Sequence, residues 1–253
     1  MYHAAVASRE TPPNLGCSQR EYFPSSNSCE IVAKVDEKLR VIGQEILDTA
    51  SAEETKAVIG DLRRINRWLG GYRVSCSALG SLTPPEQFTI LDVGAASSES
   101  GAALRGKFPG ARVTSLDRLA SHLASTSGAR VVADAFRLPF GERSIDYVYC
   151  SLFLHHFSDE DVVRLLAGFA GTARRGVVVV DLERRWLARV FLRATRWFFR
   201  WHPITVHDAE LSVQAGFTIA ELERLAAQAG LEGARVRRHL PWLRLSLVWK
   251  RRR

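Results

Sequence analysis

FTILDVGAASSESG, residues 88–101, is where the fold of this chain declares itself. The run Phe88–Val93 is rich in Ile, Leu, Val and Phe, as a strand buried on both faces requires. At Gly94 it gives way to small residues, where a turn lets backbone N–H groups approach a ligand. A helix follows such a turn in the open parallel sheets that bind ligands at the carboxyl ends of their strands.

Outward from this stretch the same grammar repeats. Ala111–Leu116, Arg130–Ala133, Ile145–Cys150 and Val177–Asp181 read as further short strands, several of them separated by helical patterns. This alternation predicts a mostly parallel sheet covered on both sides. Thr218-x-x-Glu221 has the capping-box pattern, and the helix it opens ends at Gly230. Two last strands are expected at Ala234–Leu240 and Leu243–Trp249, an antiparallel pair at one sheet edge. In the second, Leu243, Leu245, Leu247 and Trp249 alternate with Arg244, Ser246 and Val248.

Upstream, residues 1–30 mix Pro, Ser, Asn and Gly and read as a disordered tail. Ile31, Val35, Leu39, Ile42 and Ile46 then form a helical stripe. A second helix is expected from Ser51-x-x-Glu54, with Val58, Leu62, Ile65 and Leu69 inside and Gly70-Gly71 at its end. Residues 31–85 thus form an N-terminal helical extension, and Gly80–Pro85 a linker into the sheet domain, 86–253.

The chain has 253 residues, 46% of them hydrophobic and 25% charged, which excludes a disordered protein. Its formal charge of +8 admits nucleic acid, an anionic membrane or an acidic small molecule as partner. Cys17, Cys29, Cys76 and Cys150 lack metal-ligand spacing and read as reduced structural thiols, and no metal is expected. No apolar run reaches the roughly 18–20 residues of a bilayer span, and the first residues lack the apolar centre of a signal peptide. A cytoplasmic location is expected.

Four strand ends are polar: Asp92-Val93-Gly94-Ala95-Ala96, Asp117, Asp134-Ala135, and Cys150-Ser151-Leu152. An acid at the second strand end can accept both ribose hydroxyls of a nucleoside. With ADAFRLPFGERSIDYVYCSLFLHHFSDED (133–161), GVVVVDLER (176–184) and the closing ARVRRHLPWLRLSLVWK (234–250), this set resembles the class I S-adenosylmethionine-dependent methyltransferases. Within them it resembles the small-molecule type-11 group that includes ubiquinone-biosynthesis enzymes. The segment DLRRINRWLGGYR (61–73) is similar to an extension of bacterial O-methyltransferases found beside type III polyketide synthases.

The resemblance implies a Rossmann-like seven-stranded sheet with an antiparallel last strand, an N-terminal helical extension and a helical cover inserted at 184–217. It implies S-adenosylmethionine as cofactor. Asp92, Gly94 and Ala96 would contact its methionine part and Asp117 its ribose, with Arg118 flanking the adenine. Asp134 and Ala135 would bind the adenine, and Ser151 and Leu152 would lie beside the sulfonium. The implied function is methyl transfer to an oxygen of a small, apolar or lipidic acceptor, a phenolic polyketide or quinone precursor. In the family's D-x-G-x-G-x-G loop, Ala96 and Ser98 here replace the second and third glycines. A Cβ there disfavours positive φ, which motivates the alternative of a non-catalytic scaffold on the same fold.

His155, His156 and His207 are the candidate general bases, because an imidazole titrates near working pH. Each also reads as an ordinary hydrogen-bonded histidine, and of the adjacent pair at most one faces the site. Arg185, Arg189, Arg193, Arg196 and Arg200 recur at spacings of four, four, three and four, with Trp186, Val190, Phe191, Trp197, Phe198 and Trp201 on the remainder. This basic amphipathic helix reads either as a contact with the anionic inner membrane face or as a lid whose aromatic side packs on the domain. No nucleic-acid-binding module is present in the sequence, so that partner is not expected.

Overall fold

A computed structural model of the chain describes residues 40–43, 46 and 52–252, apart from Ser97 and Ser125. The expected tail, the start of the stripe at Ile31 and the Ser51 cap lie outside these residues. Two helices come first, α1 (Ala52–Trp68) and α2 (Gly71–Gly80). The sheet domain follows as β1 (Phe88–Val93), α3 (Glu99–Lys107), β2 (Ala111–Asp117), β3 (Ala129–Val132) and β4 (Ile145–Ser151). A 3-10 turn, Leu154–His156, leads into α4 (Asp159–Thr172) and β5 (Ala173–Leu182). Then come α5 (Trp186–Phe199), α6 (Pro203–Ala215), α7 (Ile219–Gln228), β6 (Arg235–His239) and β7 (Arg244–Lys250).

The seven strands form one sheet in the order β3-β2-β1-β4-β5-β7-β6. β1 lies in its middle, parallel to β2 and to β4. β7 enters between β5 and β6 and runs antiparallel to both, so the only reversed strand is the last one. The expected antiparallel pair is present at one sheet edge, with β6 outermost and β7 next to it. No helix among the described residues is long and apolar enough to cross a membrane.

Burial follows the alternation of side chains along the strands. One face buries Leu91, Val93, Val148, Val177, Val179, Leu245 and Leu247 under α4 and α7, through Leu165, Phe169, Leu222 and Leu225. The other buries Ile90, Tyr147, Tyr149, Val178 and Val180 under α2 and α3, through Val74, Leu79 and Leu104. β5 begins four residues earlier than the apolar run suggests, at Ala173. Arg174 and Arg175 there are exposed, and both bond to the Asp146 carboxylate. In β7 the residues alternating with the leucines are not solvated: Arg244 and Ser246 are buried as well.

A smaller cluster holds the helices to one another. Ile65 of α1 meets Trp201 and Val206, with Phe191 and Phe199 of α5 packed against them. The buried carboxylate of Asp61 accepts hydrogen bonds from His202 N (2.8 Å) and Thr205 Oγ1 (2.9 Å), which ties α1 to the start of α6.

The capping box at α7 is present in both directions: Thr218 Oγ1 accepts from Glu221 N and Glu221 from Thr218 N. Thr218→Ala should remove about 1 kcal/mol of stability. That lowers the thermal midpoint by about 2–4 °C in a protein of this size. Differential scanning calorimetry measures it; an unchanged midpoint would show that the cap contributes nothing.

Candidate active site

Parallel pairing brings the polar strand ends to one edge of the sheet. The loop after β1 turns on Gly94, at φ 66°. A Cβ at Gly94 would lie 2.2 Å from the Phe153 ring, so no other residue fits. Ala96 (φ 42°) and Ser98 (φ 57°) also adopt the left-handed region. The loop thus holds two residues with side chains in a backbone region that favours glycine. It is held by Ala95 N to Leu116 O (3.0 Å), by Ala96 N to Asp117 Oδ2 (3.0 Å) and by Ser98 Oγ with Thr126 Oγ1 (2.6 Å).

Asp117 is buried at the end of β2, and its other oxygen accepts from Leu119 N (3.0 Å) and faces His122 Nδ1 (3.2 Å). A carboxylate has about four acceptor positions, so capacity for a further hydroxyl donor remains. Ala133 N donates to Asp117 O, which sets the Asp134-Ala135 turn beside this acid. Asp134 itself is exposed and accepts from Phe136 N (2.9 Å). Arg118 is exposed next to Asp117. Ser151 and Leu152 are half-buried at the end of β4, alongside the end of β1. Leu152 sits at φ 53°, a strained conformation for a branched side chain.

Asp92 is 1% exposed, and its Oδ2 has no hydrogen-bond partner among the described residues. Burial raises its pKa to about 7, partly countered by the backbone of Gly101 and the charge of Arg105. An orphaned acceptor under a turn of small residues fits a ligand that brings a donor.

No hydrogen bond or ion pair among the described residues joins the three histidines to these acids. His155 is buried, with Nδ1 2.7 Å from Asp181 Oδ1. Burial alone would raise the Asp181 carboxyl, but His155, by charge and hydrogen bond, and the Leu182 N–H hold it below the usual range. His156 keeps an exposed edge, yet crowding around its ring and the neighbouring His155 lower its pKa to about 4. It is neutral at physiological pH and a weak base. His207 is exposed on α6, 3.1 Å from Asp208.

Residues that the sequence did not single out complete this end of the sheet. α1 and α2 bring Asn66, Tyr72 and Ser75 to it. Ser75 Oγ meets Tyr149 Oη at 2.7 Å, and Tyr72 Oη donates to Glu99 Oε2 at 2.6 Å. Arg244, opposite Leu182 at the carboxyl end of β5, is 3% exposed. Its Nη2 donates to Asn66 Oδ1 (2.9 Å), and its Nη1 has no partner among the described residues. Burial lowers its pKa to about 10, with Asp181, Tyr149 and Tyr72 opposing. The one sequence signal was a basic residue inside an otherwise apolar strand.

Residues 91–181 match the family model described as a methyltransferase domain. The sheet order, with β7 antiparallel, is that of the Rossmann-like methyltransferase fold. Among solved structures, the plantazolicin methyltransferase BpumL in complex with SAH aligns over 81% of this chain and 92% of its own, at 13% identity and a TM-score of 0.61. BpumL with a pentazolic desmethylPZN analog and SAH aligns over 80% and 92%, at 13% identity and 0.60. A Nostoc punctiforme protein provisionally described as an O-methyltransferase aligns at 20% identity and 0.52, over 71% of this chain. The chain spans 56% of the length of that Nostoc protein. At these identities the likeness is one of fold. No curated protein sequence matches the chain.

The left-handed residues of the loop after β1 give a direct test. A Cβ in this conformation costs about 1–2 kcal/mol, against about 0.5–1 kcal/mol for the extra freedom of an unfolded glycine. Ala96→Gly should therefore raise the thermal midpoint by a few degrees. A lower midpoint would mean that Ala96 makes contacts worth more than its strain.

Proposed function

We propose that the protein transfers a methyl group from S-adenosylmethionine to an oxygen of a small, largely apolar acceptor. The observation that carries this reading is the convergence of Asp92, the Gly94–Ser98 loop and Asp117 on one edge of the sheet, with the Asp134-Ala135 turn beside them. Asp117 offers its remaining acceptor position to a ribose hydroxyl, and Asp92 Oδ2 a buried acceptor to the amino group of the methionine part. Asp134, Ala135 and Arg118 surround the adenine, and Ser151 and Leu152 the sulfonium end. The bound cofactor supplies an electrophilic methyl group. The scaffold alternative rested on Ala96 and Ser98, and their glycine-like backbone favours the enzyme.

Arg244 supports oxygen as the acceptor atom. A buried guanidinium with one free nitrogen and no carboxylate in salt-bridge range among the described residues calls for an anion. A phenolate meets that need, and the cation lowers the phenol's pKa by about 1–3 units. The acceptor then reaches the site deprotonated without a strong base, consistent with a pKa of about 4 for His156. What remains for the protein is alignment of nucleophile and methyl group, and exclusion of water.

Two measurements test the proposal. Asp117→Ala should weaken S-adenosylmethionine binding at least tenfold by calorimetry, since each hydrogen bond to a charged acceptor is worth about 1.5–3 kcal/mol. An unchanged dissociation constant in a folded variant would remove Asp117 from the site. Arg244→Gln should move the acid limb of the kcat/KM profile for a phenolic acceptor up by about 1–3 pH units, with cofactor affinity retained. Arg244→Lys should restore part of the shift. An unmoved limb with both variants would take the cation out of the reaction.

A further inference from the structure

Helix α5 shows which side of the arginine-rich segment is covered, and much of its apolar surface lies outside that side. The half-buried residues Phe191 and Phe199 pack toward Ile65, Trp201 and Val206. Trp197 is 86% exposed, Phe198 83% and Trp186 62%, and Leu187, Val190 and Ala194 are exposed with them. Trp186, Val190 and Trp197 lie along one line of the helix, and Leu187, Ala194 and Phe198 along the next. Arg193, Arg196 and Arg200 are exposed on the flank of this apolar strip, and the helix contains no Asp or Glu. Arg196 lies over Trp197, 5.7 Å from its ring, and Arg193 has only a long contact with Glu210, 3.7 Å.

We propose that this face of α5 docks on an anionic phospholipid surface. The helix lies in the plane of the interface, with the tryptophans at its two ends and Phe198 at the acyl boundary and the arginines on the headgroup phosphates. Three features favour lipid over a protein partner. Tryptophan beside arginine suits a boundary that is apolar on one side and wet on the other. The flank is cationic with no acid of its own helix to neutralise it, and the chain as a whole carries +8. A second copy would bring the same arginines against these ones, which opposes self-association. Such a position sets the methyltransferase domain where apolar acceptors concentrate, but the docking itself needs no catalysis.

The full-length protein is sedimented with vesicles of phosphatidylglycerol or of phosphatidylcholine, without cofactor or acceptor, so failure here leaves the methyl-transfer reading intact. Binding to phosphatidylglycerol at low salt should exceed that to phosphatidylcholine at least tenfold and fade as salt shortens the Debye length. Arg193→Gln with Arg196→Gln should reduce it about twenty-fold, about five-fold for each charge. Trp197→Ala with Phe198→Ala should reduce it at least tenfold and leave the midpoint of the lipid-free protein unchanged. Sedimentation with neither lipid, or equally with both, overturns the proposal. So does a fall of several degrees in that lipid-free midpoint, which would show the face already covered by another part of the chain or by a second copy.

Discussion

Parallel pairing on both sides of β1 is the constraint from which the rest follows. A strand bonded in parallel to two neighbours exposes neither edge and needs apolar residues on both faces. It also obliges each connection to cross the sheet and return, so the loops that follow β1, β2 and β4 all open at the same end. Asp92, Asp117, the Asp134 turn and Ser151 are far apart in the chain and adjacent in space for this reason alone. The packing of α2 and α3 on one side and α4 and α7 on the other buries the apolar faces and leaves that end for polar groups.

Within this frame, burial acts on two acids in opposite directions. Asp92 has no partner for one oxygen among the described residues, and desolvation pushes its carboxyl up. Its ionisation is resisted by the fold, so it subtracts stability as pH rises above the unfolded carboxyl value. Asp181 has His155 and two backbone N–H donors, Leu154 and Leu182, and is held down. Its contribution is present above the unfolded value and fades as pH falls through the folded one. One acid is structural and satisfied; the other is kept unsatisfied at the place where a ligand would meet it.

Much of this was legible in the sequence. Continuous apolar runs mark the inner strands because both of their faces are buried, and Phe88–Val93 ends where the run ends. The strand ends at Asp92, Asp117 and Ser151 were visible as polar or small residues closing such runs. Other features depend on what packs where, which periodicity does not contain. The start of β5 is written in arginines whose charge is met by Asp146, a residue distant in the chain. Arg244 looks like the polar half of an alternating strand until α1 places Asn66 against it. The spacing of residues 185–200 defines the sides of a helix but not which of them faces the domain, and the aromatics proved to be divided, Phe191 and Phe199 toward it and Trp186, Trp197 and Phe198 away.

The contact between Gly94 and Phe153 carries one more consequence. The loop after β1 and the segment after β4 touch through a ring pressed against a bare backbone, with no slack for a Cβ. Phe153 in turn stacks edge-on against Phe157, 4.9 Å away, next to the start of α4. A shift of that aromatic pair displaces the loop, and a rearranged loop displaces the pair. The loop after β1 and the segment after β4 are thus geared together through sterics.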